Sequence, residues 1–258
     1  MLQSDYIIRQ GGESNMKYMT RADLRRAAEP VLWQYWLLPS AQEHPWLVDP
    51  SLLAREVLGL KLRYRHLSAD GDLLGLTSYG ELEVVLPDRE THGPCVLDGS
   101  TILIEQDLFY QAFGHGRMNF TIGHECAHHV LHRLYPESYG DSPATRKALA
   151  CLSHPLRTRG GAYDWEEWQM DVLASELLMP EDLVRRNLAL AGFPNGIEVL
   201  NPVWRKKDYA GFVGLCEMMG VSRQAMAYRL RLLGLLGMDQ RACSNVMIDI
   251  WMDEEEAV

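Results

Sequence analysis

The sequence has no long hydrophobic run. No apolar stretch approaches the roughly 20 residues that a bilayer crossing requires. The opening, MLQSDYIIRQGGESNMKYM, lacks the apolar core of a signal peptide. Cysteine is sparse and unpatterned: Cys95, Cys126, Cys151, Cys216 and Cys243 are odd in number and form no C-x-x-C pair. That excludes a disulfide framework and a cysteine-based zinc ribbon, and it suits a reducing compartment. Together these absences predict a cytoplasmic protein with no membrane partner. Positive charge is also in deficit. A formal net charge of −10 argues against non-specific, electrostatic nucleic-acid binding by the molecule as a whole. Internal repeats and low-complexity tracts are absent.

What remains is ordinary globular material: 258 residues, 47% hydrophobic and 23% charged, enough to bury a real core in one large domain or two small ones. Residues 1–19 read as a polar extension, with Met16 leaving a second start open. A main domain is expected over 20–200, a helical segment over 201–251 and an acidic tail over 252–258. Residues 20–37 predict a helix that Pro30 should break or kink. Residues 49–58 predict another, with Asp49 as N-cap, Pro50 at the first helical position and Gly59 as the stop. Strands are expected over 60–67, 82–86 and 101–104, separated by turn residues. Helix is expected again over 118–132, around 147–152 within a long polar loop, and over 165–179. The next helix opens at Pro180.

The chemistry concentrates in HECAHHVLH, residues 124 to 132. On a helix, His124 and His128 project from one face about one turn, or ~6 Å, apart. Two imidazoles so placed can reach one Zn²⁺ at ~2.0–2.1 Å. Glu125 then lies beside the metal, free to take a proton from a water that the ion has acidified. Chance H-E-x-x-H matches are common, and paired histidines are more often solvated or core residues than ligands. A third ligand decides the matter. His132 is eight residues from His124, about 12 Å along the axis, and cannot share the ion. His132 is therefore assigned an outer or structural role, His129 a solvent-facing position, and Cys126 a place in the core.

The helix WEEWQMDVLASELLMP supplies a better third ligand. Glu167 and Asp171 share one face of an otherwise apolar helix, and buried carboxylates are costly unless paired or metal-bound. Glu167 would ligate the metal and Asp171 would accept the other ring N–H of a ligand histidine. Glu166 is the rival ligand. A His₂-carboxylate set takes zinc, and also manganese or iron.

RMNFTIGHECAHHVLH together with EWQMDVLASELLMP resembles the ImmA/IrrE family of metallopeptidases. The match includes Phe120-Thr121, His124, Glu125, His128, Leu131-His132, Glu167, Asp171, Ala174 and Leu177-Leu178-Met179-Pro180. Cys126-Ala127 replaces a commoner Leu-Gly, and Met170 stands where alanine is usual. The resemblance implies His124, His128 and Glu167 as zinc ligands and Glu125 as catalytic base. It also implies an α+β fold: a mainly helical, zincin-like metallopeptidase domain with a small N-terminal β-sheet and a C-terminal helix-turn-helix-like segment. Characterised members are cytoplasmic site-specific proteases that cleave a helix-turn-helix repressor and so induce stress or mobile-element genes. The implied partner is therefore a protein substrate, a transcriptional repressor. His115, Tyr135 and Tyr139 are the candidates for stabilising the oxyanion.

Residues 209–236 have a helix-turn-helix pattern, with a turn at Met219-Gly220 and Ser222 capping the second helix. Seven basic and three acidic residues give the 203–241 segment a local balance of +4. Arg223, Arg229 and Arg231 are the candidate DNA or protein contacts. A packing or protein-recognition role is favoured over direct DNA binding.

Overall fold

In the computed structural model, which describes residues 18–87, 95–110, 114–136, 149–152 and 165–241, Thr20 starts the first helix. The 1–17 leader, residues 137–148 and 153–164 and the acidic tail lie outside the described residues, as does the side chain of Glu166. The Thr20 hydroxyl accepts the Asp23 amide and the Asp23 carboxylate accepts the Thr20 amide, a capping box that fixes the start of α1 (Arg21–Trp36). Of the break or kink expected at Pro30, the break does not occur: the helix runs on through it to Trp36. The proline ring lies on the exposed side, where water can serve the carbonyl that loses its donor. α2 (Pro50–Leu52) begins as predicted: the Asp49 carboxylate accepts the Ser51 and Leu52 amides at 2.8 and 3.2 Å. It runs on as a wider turn over Leu53–Val57.

The strands are β1 (Lys61–Arg65), β2 (Leu73–Thr77), β3 (Glu81–Val84), β4 (Cys95–Asp98), β5 (Thr101–Glu105) and β6 (Leu149–Leu152). One mixed sheet has the order β1-β5-β2-β6; β1 is parallel to β5, and β2 is antiparallel to both β5 and β6. β3 and β4 form a separate antiparallel ribbon. The helix expected around 147–152 is thus corrected: residues 149–152 are the outer strand of the sheet, in a four-residue apolar run too short for periodicity to decide its type. Where β1 and β5 end, the buried Glu105 carboxylate accepts the Leu67 and Asp107 amides at 2.8 and 3.1 Å and meets His66 Nδ1 at 3.2 Å. The Asp107 carboxylate lies 3.8 Å from the same His66 Nδ1, so His66, Glu105 and Asp107 gather around this clamp.

After the short α3 (Asp107–Tyr110), α4 (Gly114–Leu134) crosses the middle of the molecule. Every residue from Thr121 to Leu131 is buried. The sheet strands β2, β5 and β6 cover one side of α4, and α1, α2 and α5 (Trp165–Leu178) cover the other. α6 (Glu181–Leu190) follows Pro180 with Glu181 and Asp182 in its first turn, where acids suit the helix dipole.

The C-terminal segment comprises β7 (Ile197–Leu200), α7 (Lys206–Met218), α8 (Arg223–Leu232) and β8 (Leu236–Asp239), with β7 parallel to β8. Gly220, at φ +63°, makes the α7–α8 turn, and the Ser222 hydroxyl caps α8 by accepting the Ala225 amide. Phe212, Met226 and Leu230 belong to the same buried cluster as Ile122 and Leu177, so this segment shares one core with the helices before it. The architecture is α+β, and among the described residues no helix is long and apolar enough to cross a membrane.

Candidate metal centre

α4 and α5 pack directly on each other, and a glycine permits it. A Cβ on Gly123 would stand 2.8 Å from Leu178 Cδ1, so the residue before His124 is the point of close approach to α5. The approach brings His124, His128 and Glu167 together, with one potential ligand atom from each lying within 4.8 Å of the others. The two histidines are buried, at 2% and 0% exposure, and the Glu167 side chain is 30% exposed. The group therefore has buried walls and one side open to solvent.

Proton placement follows from the partners. His124 Nδ1 is 2.8 Å from Asp171 Oδ1, and an ionised carboxylate only accepts, so Nδ1 carries the proton. Nε2 lies 3.1 Å from Glu167 Oε2. A protonated ring donates to the carboxylate there; the neutral ring turns its lone pair to it, and two electron-pair donors so placed suit a cation between them. Two ligands of one tetrahedral zinc at ~2.0–2.1 Å stand roughly 3.3 Å apart, close to the separation found. The donor set of two imidazoles and a carboxylate, with Asp171 holding the outer nitrogen of His124, fits zinc.

Glu125 is fully buried between α4 and β2. A Cβ on Gly75 of β2 would meet Glu125 Oε1 at 2.5 Å, so glycine at that point lets the carboxylate lie where it does. Burial pushes the Cys126 thiol well above its ordinary range, with the Glu125 charge adding to the effect. A buried neutral thiol is a core residue, as expected from sequence.

His129 is a correction. It is 4% exposed rather than solvent-facing, because α4 is covered on all sides. The Thr77 hydroxyl donates to the Thr101 carbonyl at 3.2 Å and must therefore accept from His129 Nε2, at 2.8 Å. Burial, with Arg133 and His132 adding positive charge, pushes this imidazole down to about 4 and keeps it neutral. His132 is half-buried and stacks on the Tyr79 ring, with centroids 4.2 Å apart and planes 10° from parallel. The Tyr79 hydroxyl in turn lies 3.3 Å from His128 Nδ1.

Sequence reasoning missed Tyr79, Thr77 and Gly75, since nothing local links the β2 end to residues some 50 positions later. His115 is exposed and leans on Phe109, Tyr135 packs against the main core, and Tyr139 lies outside the described residues.

The three arginines of the C-terminal pair part ways. Arg229 is a second correction: it is 3% exposed, donates to Glu176 at 2.6 Å through both terminal nitrogens, and donates to the Met179 carbonyl through Nε at 2.9 Å. Its guanidinium fastens α8 to α5 and offers nothing at the surface. Arg231 and Arg223 are exposed; Arg231 pairs with Asp239 at 3.5 Å and Arg223 reaches Tyr209 Oη at 3.4 Å. Asn119 of α4 donates to the Gly220 carbonyl at 2.8 Å, which seats the α7–α8 turn against α4. No protein-family model matches the chain, and no curated protein matches it.

Proposed function

We propose that the chain is a zinc-dependent endopeptidase of zincin-like plan, similar to the ImmA/IrrE metallopeptidases, acting on a specific protein. The observation that carries the reading is the convergence of His124, His128 and Glu167 from two helices, with Glu125 buried one residue from the first ligand. His124, His128 and Glu167 would hold the ion, and Asp171 fixes the His124 ring. Three protein ligands leave a coordination position open, which distinguishes a catalytic from a purely structural site. Zinc bound there supplies Lewis acidity, acidifying a water and polarising the scissile carbonyl.

The chain's own part is proton transfer. Glu125 takes a proton from the attacking water and returns it to the leaving amine. Gly75 leaves its carboxylate a place against β2. The substrate class is a cytoplasmic protein, with a helix-turn-helix transcriptional repressor as the specific proposal. The C-terminal pair packs against α4 and α5 and takes part in substrate recognition rather than DNA reading.

Metal analysis of the purified protein, followed by intact-mass measurement of co-expressed repressors, tests this. Stoichiometric zinc is expected, lost in Glu167→Ala, with cleavage in wild type and none in Glu125→Gln, which keeps its metal. Unchanged metal in Glu167→Ala would move the third-ligand role to Glu166. Wild type and Glu125→Gln behaving identically, while loss of 203–241 abolishes function, would replace the enzyme with a metal-holding regulatory module.

A further inference from the structure

We propose that Tyr79 is a positioning residue for the second ligand histidine, and that the surplus histidines of the 124–132 helix exist to hold Tyr79 in place. The inference rests on the metal-centre reading above and extends it to a residue outside the two ligand helices.

His124 has a carboxylate, Asp171, behind it, whereas His128 has a phenol. The Tyr79 hydroxyl lies 3.3 Å from His128 Nδ1, at the long end of hydrogen-bond distance, so its strength alone would not hold the group there. Packing does. The Tyr79 ring lies flat on His132 and meets His128 and His129 edge-on, with centroids 6.4 and 6.1 Å away. The turn that carries it is anchored twice. Ser78 Oγ donates to the Gly80 carbonyl at 2.7 Å, and Thr77, two residues earlier, holds His129 Nε2 at 2.8 Å.

Histidines 128, 129 and 132 thus present one broad side of α4 to a single tyrosine turn. With the Tyr79 oxygen accepting from Nδ1–H, the His128 lone pair resides on Nε2, the tautomer suited to a metal ligand. A neutral phenol behind one ligand and a carboxylate behind the other give the two imidazoles unequal donor strength.

Tyr79→Phe tests this, because it removes only the oxygen and keeps the stack. The readouts are zinc affinity by competition with a chromophoric chelator and the visible spectrum of the cobalt-loaded protein, neither of which needs a substrate. Zinc binding roughly 10- to 100-fold weaker is expected, as for loss of other groups that orient a ligand. A changed cobalt spectrum at saturating metal should accompany it. His132→Ala should weaken zinc binding too, and the double variant should bind no more weakly than Tyr79→Phe alone, since His132 acts through the tyrosine. Wild type loading stoichiometrically while Tyr79→Phe matches it in affinity and spectrum would overturn this proposal and leave the metal centre standing. Additive losses in the double variant would likewise overturn it. Wild type binding no metal would overturn both. Should Tyr79→Phe melt early without metal, its cobalt spectrum at saturation still reads the ligand geometry of the folded fraction.

Discussion

Arg229→Met should cost far more stability than any surface arginine replacement. The Arg229 and Glu176 side chains are 4% and 10% exposed and meet through two parallel 2.6 Å contacts. At an effective dielectric of about 20 and a charge separation of about 4 Å, the attraction is about 4 kcal/mol. Removing the arginine strands a buried carboxylate, for which losses of about 3–5 kcal/mol are typical. It also deprives the Met179 carbonyl of its donor, a further effect of about 1–3 kcal/mol that overlaps with the first. Glu176→Leu should lose about as much by stranding the guanidinium. The double variant has no stranded charge, so its loss should fall to about 1–3 kcal/mol, the carbonyl's share, giving a coupling of at least about 2 kcal/mol. Urea unfolding of the metal-free protein measures all four, with metal removed because a bound ion would add its own stabilisation. Single-variant losses below about 1 kcal/mol that add in the double variant would mean the pair behaves as an exposed one, and the burial argument would fail.

Gly75→Ala should push the new Cβ onto Glu125 Oε1 and Thr121 Cγ2, where it would stand at 2.5 and 2.8 Å. We expect a loss of about 1–3 kcal/mol in urea unfolding, with cleavage falling more than zinc affinity; equal stability would refute the close approach. His129 should make the fold acid-sensitive. Its pKa is about 4 folded against 6.5 ordinarily, so between those values the unfolded chain binds more protons, and stability falls as pH drops through that window. About 3 kcal/mol is lost between pH 6.5 and 4, and His129→Gln should lose correspondingly less over the same range; parallel pH profiles would refute it.

The candidate metal centre was legible where its geometry is local. The i, i+4 spacing of His124 and His128 is a property of any helix, and the acids of α5 stood out against an apolar background. What stayed hidden depends on tertiary contacts. His129 was read as solvent-facing because a helix normally has one wet side, and α4 has none over Thr121 to Leu131. β2 escaped notice because LLGLT is buried throughout, so the alternation that marks a half-exposed strand is missing. Arg229 looked like a surface contact because its partner Glu176 lies 53 residues earlier. Glu176 also shows that α5 has a reason to carry an acid besides the proposed metal ligation.

That second acid changes what the C-terminal pair does for the site. α5 carries Glu167 in its first turn and Glu176 nine residues later, about 13 Å along the axis. Near the first, the helix is tied to α4 by Asp171 on His124; near its other end it is tied to α8 by Arg229 and packed against Gly123 through Leu178. A helix fixed at both ends holds its side chains to a narrower range than one fixed at a single end, and a metal site tolerates only about half an ångström of error. The arginine that looked like a surface contact for DNA or protein is thus part of what holds α5, and Glu167 with it, in place. The α7–α8 turn, seated on Asn119, secures α4 in the same way. On this argument the helical pair is not an appendage to the candidate metal centre but the outer brace of both helices that form it.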